Sequence, residues 1–170
     1  MRVSFIKVII MSFMVLSFAY IAVAQEKTII LVRHVEKDTA PTADKRDPEI
    51  SDTGRERAFR LLKSTKKYKF DEIFSTDFKR TRGTAEPTAA KRKKSVQTYD
   101  ASKQQELVEK IMASKNDKFL VVGHSNTIPR LANLIAKKEV FRDLLDTEYS
   151  VIWVVKMKKG VVEKIEILSY

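Results

Sequence analysis

Apolar residues fall along the chain in short, nearly unbroken runs, separated by longer stretches in which they recur every three or four positions. Thr28 to Val32 (TIILV) is one such run, and its uninterrupted β-branched character suits a strand buried on both faces. Phe70 to Phe74, Phe119 to Val122 and Val151 to Val155 have the same character, while Val161 to Leu168 (VVEKIEIL) alternates in part, as a strand with one wet face does. Helical patterns lie between them. Ser51 and Asp52 offer N-cap chemistry before Arg55 to Lys66, where Ala58, Leu61 and Leu62 share a face. Gln104 to Ser114 places Leu107, Ile111 and Met112 on one stripe, and Ile128 to Lys137 places Leu131, Leu134 and Ile135 on another. Strands alternating with helices predict an α/β fold: a three-layer α/β/α sandwich with a mainly parallel central sheet. The last two strands, joined near Lys158 to Gly160, read as a hairpin and add an antiparallel element.

The first run differs from the others. Arg2 and Lys7 precede an uncharged stretch from Val8 to Gln25 that ends in Ala22-Val23-Ala24, the pattern of a secretory signal cleaved after Ala24. Residues 1–24 are therefore read as a signal peptide and residues 25–170 as one catalytic-sized domain. The protein is expected to be exported, periplasmic or secreted. An uncleaved membrane anchor is the alternative, since 18 uncharged residues reach the short end of the roughly 17–25 that span a bilayer.

Composition narrows the chemistry. The chain has 170 residues and no cysteine, which excludes disulfides, thiolate nucleophiles and cysteine-ligated metals. Its 33 basic and 22 acidic residues give a net charge of +11; losing Arg2 and Lys7 with the signal leaves 31 against 22, or +9. That excess, with the cluster Lys91 to Lys94, invites a nucleic-acid reading, but the basic residues are scattered along the sequence and no recognition motif accompanies them. No nucleic-acid partner is expected.

The chain has two histidines, and each directly follows an apolar run: Arg33-His34 after IILV, and Gly123-His124 after FLVV. Both imidazoles should appear at the carboxyl edge of the sheet, where open α/β folds form their binding crevice. A third run delivers Ser75-Thr76-Asp77-Phe78-Lys79-Arg80-Thr81 to the same edge, so Arg80 joins Arg33 beside the imidazoles. Two guanidiniums and two imidazoles without an acidic cluster describe an oxyanion pocket rather than a metal site, because arginine forks match phosphoryl oxygens and do not ligate metals. The helix beginning near Ser125, Asn126 and Thr127 adds its amino-terminal amides. The polar loop from Asp38 to Pro48 follows the first strand and is placed to help choose the substrate.

Four strings, in this order, carry a family resemblance. Leu31-Val32-Arg33-His34-Val35-Glu36, Ser51-Asp52-Thr53-Gly54-Arg55-Glu56-Arg57-Ala58, Ser75 to Ala85 (STDFKRTRGTA) and Val121-Val122-Gly123-His124-Ser125-Asn126-Thr127 resemble the signatures of the histidine phosphatase (phosphoglycerate-mutase-like) superfamily. The chain departs from the pattern at Val35, where the family usually has glycine, and it lacks the long insertion that carries the lid and general acid of the mutases. In compactness it is similar to the phosphohistidine-phosphatase type.

The resemblance implies a phosphatase in which neutral His34 attacks phosphorus and the phosphohistidine is then hydrolysed by water, with Arg33, Arg80 and His124 binding the phosphoryl oxygens and no metal or other cofactor required. The substrate would be a small phosphomonoester, a phosphoramidate or a phosphoprotein. Asp100, at the end of a predicted strand, is the candidate acid for the leaving group, ahead of Asp77 and Glu36; Glu36 is read chiefly as loop support. A catalytically weak phosphate-binding or interaction module on the same fold is the alternative, whereas a mutase would need a closed site that this short chain lacks. Among the remaining residues, Thr84 and Ala85 should pack a helix start, Pro87 should occupy a first helical turn, Asn126 should orient His124 or cap a helix, and Trp153 should lie in the core.

Overall fold

A computed structural model describes residues 25–170; residues 1–24, read above as a signal peptide, lie outside the described residues. The chain forms six strands, β1 (Glu26–Arg33), β2 (Glu72–Ser75), β3 (Val96–Thr98), β4 (Lys118–Gly123), β5 (Val151–Lys158) and β6 (Val161–Ser169), and four helices, α1 (Asp52–Ser64), α2 (Lys79–Arg92), α3 (Gln104–Ala113) and α4 (Thr127–Ala136). All strands lie in one sheet in the order β3-β2-β4-β1-β5-β6. The pairs β3/β2, β2/β4 and β4/β1 are parallel, and β5 pairs antiparallel with both β1 and β6. It follows that β6 runs in the direction of β1, and β5 alone is reversed.

Consecutive side chains of a strand point to opposite faces, and both faces here are covered. Ile29 and Leu31 of β1 join Leu107 and Ile111 of α3 and Leu131 and Ile135 of α4 in one core. Ile30 and Val32 join Leu61 of α1 and Ala85 and Ala89 of α2 in the other. These two-sided cores explain why β1 and β4 read as continuous apolar runs rather than alternating ones. Trp153 of β5 is buried in the first core, edge-on to Phe141.

Local rules account for most element boundaries. The Ser51 hydroxyl accepts from the Gly54 N–H at 3.1 Å and starts α1. Lys159 and Gly160, with φ of 52° and 76°, supply the left-handed pair that a two-residue hairpin needs between β5 and β6. β6 is wetter than its partial alternation suggested, with Val161, Ile167 and Leu168 exposed. Phe70 is buried in the turn before β2, which begins only at Glu72. Pro87 lies inside α2, not in its first turn, because α2 already begins at Lys79. An interior proline costs about 3 kcal/mol. Burial of Thr81, Thr84, Ala85, Thr88 and Ala89 against the sheet holds the helix together regardless.

Candidate active site

Register places the two histidines side by side. Arg33, the last residue of β1, pairs with Gly123, the last of β4, and the His34 N–H donates to the Gly123 carbonyl at 2.8 Å. The next residue on each strand is a histidine, so the rings emerge together with centroids 5.5 Å apart. Ser75 ends β2 opposite Val122 of β4, which delivers Thr76 and then Arg80, in the first turn of α2, to the same edge. The resulting pocket, about 420 Å³, is lined by Arg33, His34, Arg80 and His124 together with Lys37, Ser125, Asn126, Asp146 and Tyr149.

His34 is buried and held in one tautomer. Its Nδ1 lies 2.7 Å from the Val35 carbonyl, which can only accept, so Nδ1 carries the proton and Nε2 keeps its lone pair. The Val35 N–H in turn donates to the Thr84 hydroxyl (3.0 Å), whose own proton goes to the Arg80 carbonyl (2.7 Å). Thr84 therefore couples the His34 loop to the first turn of α2, beyond packing the helix start. Val35, where glycine is usual in the family, is fully buried with Ile50 and Ala58, so its side chain is absorbed into a small core of its own.

His124 is held from behind. Its Nε2 is 3.0 Å from the Thr76 hydroxyl. That hydroxyl donates to Thr81, whose single proton is committed to the backbone carbonyls of Thr76 and Phe78. Thr76 is thus left to accept from His124, which fixes Nε2 as the protonated nitrogen. Phe78 meets the same ring edge-on at 5.1 Å. Asn126 makes no cap bond, and it is Thr76 that orients the His124 ring, while the Thr127 hydroxyl accepts from the His124 backbone N–H at 3.0 Å.

The two arginines are fixed differently. Arg33 donates from Nη1 to the carbonyls of Leu145 (2.7 Å), Glu148 (3.2 Å) and Asp146 (3.3 Å), and its guanidinium stacks 4.1 Å from the centre of the Tyr149 ring. Its Nε is buried without a partner among the described residues, and the residue as a whole lines the pocket. Arg80 lies over Phe78 at 4.2 Å and faces Asp47 of the polar loop at 3.6 Å; Asp47 also accepts from the Lys79 N–H. The loop from Asp38 to Pro48 therefore reaches the site through Asp47.

Burial and the neighbouring cations set the protonation states. Burial, opposed by the Val35 hydrogen bond and assisted by His124, Arg33 and Arg80, pushes His34 down to about 3. Burial, followed by Arg80 and Arg33, pushes His124 down to about 4. Both imidazoles are neutral at neutral pH. Because the unfolded chain would protonate them near 6.5, it binds more protons than the folded protein between that pH and the folded values. Their contribution to stability is therefore complete above about 6.5 and is lost as the pH falls toward 4 and 3. With two histidines in the chain, proton NMR can follow both: neither ring signal is expected to titrate between about pH 8 and about pH 5. A midpoint near 6.5 for either would contradict this account of the pocket.

The candidate acids stand elsewhere. Asp100 is exposed and lines a neighbouring groove with Thr98, Tyr99, Phe78 and Asp77, not the histidine pocket. Its carboxylate accepts from the Ser102 hydroxyl (2.7 Å) and N–H (2.8 Å), and these bonds hold it below the usual carboxylate range, the wrong direction for a proton donor. Asp77 pairs with Arg82. Glu36 is chelated by Arg57, which also reaches Ser150, so it braces the loop after β1. Lys37, Asp146 and Tyr149 were not foreseen. Lys37 could have been found by its place three residues after His34, but Asp146 and Tyr149 arrive from a loop more than a hundred residues away and carry no local signal. Asp146 is the carboxylate of the pocket rim; its side chain is fully exposed and faces Arg33 at 3.6 Å.

Residues 29–103 match the family model described as histidine phosphatase superfamily (branch 1). No curated protein sequence matches the chain. Among solved structures, the fold is similar to a mycobacterial glucosyl-3-phosphoglycerate phosphatase (TM-score 0.68, 13% identity, 86% of this chain and 99% of that one). It is also similar to the protein histidine phosphatase SixA complexed with tungstate (TM-score 0.67, 13% identity, covering 84% and 96%). SixA from Nakamurella multipartitia aligns with a TM-score of 0.61 at 18% identity, over 84% of this chain and 96% of its own. At these identities the likeness is one of fold, and it extends over nearly the whole of each relative.

Proposed function

Because the chain belongs to the histidine phosphatase superfamily and has its phosphoglycerate-mutase-like fold, we propose that it is a metal-independent phosphatase acting through a phosphohistidine on His34. The observation that carries this reading is the tautomer of His34: a neutral imidazole, its Nδ1 proton committed to the Val35 carbonyl, with Nε2 free as a nucleophile in a pocket of arginines. Nε2 attacks phosphorus in line and the leaving group departs with its electron pair. Water then attacks the phosphohistidine and releases inorganic phosphate. Arg33 and Arg80, which line the pocket, are the donors to the equatorial oxygens, where charge spreads in the transition state, and His124 joins them on exchanging its Thr76 hydrogen bond for one to the phosphoryl group.

Among the described residues the carboxylate lining the pocket is Asp146, whose full exposure leaves it without the burial that would keep a proton on it at neutral pH, and this favours leaving groups that depart without a proton. Phosphoramidates, including phosphohistidine in a protein, and phenolic esters fit that requirement better than alkyl phosphates. Asp100→Asn is accordingly expected to change kcat/KM on nitrophenyl and alkyl phosphates by no more than about twofold, and a selective loss on the alkyl ester would restore Asp100 as the acid. Among the described residues no cluster of three or more His, Cys, Asp or Glu could hold a metal ion, and activity is expected to survive a chelator undiminished. Loss of activity on chelation, restored by a divalent metal, would overturn the metal-independent mechanism.

We further propose that the protein is exported. The support is the charged start, uncharged run and Ala22-Val23-Ala24 ending of the first 24 residues. Amino-terminal sequencing of the protein from the exporting cell tests it, with Gln25 as the expected first residue; a start at Met1 would favour the anchored form.

A further inference from the structure

The sheet has two poles, and the chemistry described above uses one of them. The carboxyl ends of β1, β2 and β4 carry the histidine pocket. The amino end of β1 lies roughly 25 Å away, the length of its eight residues at about 3.3 Å each, and those of the six-residue β4 and four-residue β2 lie about 20 and about 13 Å away. Helices α1 and α2 run back from the first pole to the second, so their carboxyl ends and following turns arrive where β2 and β3 begin.

Those two helix ends are strongly basic. Lys63, Lys66, Lys67 and Lys69 come with α1, and Lys91 to Lys94 with α2. In the sequence they look like separate, solvated helix ends. The fold joins them, because Arg92 Nη2 donates to the Lys66 and Tyr68 carbonyls and closes one turn onto the other. The lysines of both runs are exposed, and none forms an ion pair within the described residues. The nearest carboxylate in sequence, Asp71, is turned toward the backbone N–H groups of Asp117 and Lys118. Complementing a helix dipole accounts for a cation or two in a last turn, not for a field of this density across two helices.

A second observation concerns the apolar amino-terminal run. The uncharged stretch Val8 to Gln25 ends at this same pole. The Gln25 amide donates to the Ser114 and Asn116 carbonyls, and its own carbonyl accepts from the N–H of Lys159 in the β5–β6 turn. Gln25, the last residue of the uncharged stretch, and the unpaired lysines therefore lie toward one end of the described residues, with the histidine pocket at the other.

We propose that this pole is a docking surface for an anionic phospholipid bilayer, which holds the protein with its histidine pocket directed away from the membrane. Phosphate headgroups supply the counter-charges that the lysines lack within the protein. A nucleic acid would also satisfy the charge, but the aromatics of the pole, Tyr68 and Phe70, stack on each other with Phe70 buried, and present no platform for bases. The proposal does not depend on the chemistry of His34; it rests on the unpaired lysines, and the apolar run adds to it where that segment is retained.

The test is amine labelling of the full-length protein reconstituted in phosphatidylcholine vesicles with and without phosphatidylglycerol, read residue by residue by mass spectrometry. Anionic vesicles are expected to slow labelling of Lys66, Lys67, Lys93 and Lys94 by about fivefold or more, leave Lys45 of the polar loop unchanged, and lose the protection in high salt. The combined variant Lys66→Glu, Lys67→Glu, Lys93→Glu, Lys94→Glu, whose substitutions are all at exposed positions, should retain its hydrolysis of nitrophenyl phosphate while Lys63 and Lys69 lose the lipid-dependent protection. Equal labelling in the two vesicle types overturns the proposal, as does protection that extends equally to Lys45. Stronger protection of the same lysines by a DNA duplex than by anionic vesicles replaces the bilayer with nucleic acid.

Discussion

Replacing His34 with alanine is expected to lower kcat/KM on nitrophenyl phosphate by about 10⁴-fold or more, with loss of the acid-labile phosphoenzyme that the wild-type protein should accumulate after rapid quenching. The size follows from the chemistry. In the proposed mechanism, positioning by Arg33, Arg80 and His124 would act on a transition state that no longer forms without the attacking nitrogen, so the contributions of the pocket would not add in its absence. Folding needs a separate check, because the substitution also orphans the Val35 carbonyl that His34 Nδ1 satisfies, a loss of about 1–3 kcal/mol. Thermal unfolding of the variant separates the two effects. A folded His34→Ala protein that keeps its activity would remove the phosphohistidine mechanism. A wild type inactive on every phosphorylated substrate would instead favour a phosphate-binding module on the same fold.

The second large effect is expected far from any reacting atom, at Gly54. Helix propensity alone says that Gly54→Ala, in the first turn of α1, should stabilise the protein by up to about 1 kcal/mol. Tertiary contact says the opposite. A Cβ at this position would lie 2.3 Å from the Glu36 carbonyl oxygen and 3.1 Å from Val35 Cγ2. Neither neighbour can give way cheaply. The Glu36 carbonyl is held by the Ser51 N–H at 3.0 Å, and Val35 is packed between Ile50 and Ala58. Overpacking against backbone should outweigh propensity, for a net loss of about 3 kcal/mol and a fall in Tm of roughly 10 °C. Activity should fall as well, since the displaced Val35 carries the carbonyl that sets the His34 tautomer. An unchanged or higher Tm would show that α1 can slide away from the loop. The same contact explains how valine is tolerated after His34: the missing side chain at Gly54 leaves the room that Val35 fills.

Several features of this protein are legible one segment at a time. The apolar runs at Thr28 to Val32 and Phe119 to Val122 declare strands buried on both faces, and a residue that directly follows such a run must surface at the end of the sheet. That local rule is enough to put Arg33, His34 and His124 at one edge. The Ser51 cap, the Lys158 to Gly160 hairpin and the burial of Trp153 are equally local. Pro87 misled because its preference for a first turn is weak beside the packing of α2 on the sheet. Asp100 misled because a strand end fixes the edge a residue reaches but not the direction of its side chain, and Ser102 turns this carboxylate into a local cap.

The sequence by itself determined the order of strands and helices and the edge at which the histidines appear, since both follow from short-range patterns of burial and turn chemistry. Tertiary structure alone decided which nitrogen of each histidine holds a proton, why both stay neutral, and which groups hold Arg33. Those properties depend on partners such as the Thr76 hydroxyl and the Leu145 carbonyl, brought within about 3 Å by chain folding over tens to more than a hundred residues. Hydrogen bonding and desolvation act at that short range and leave no periodic trace along the chain.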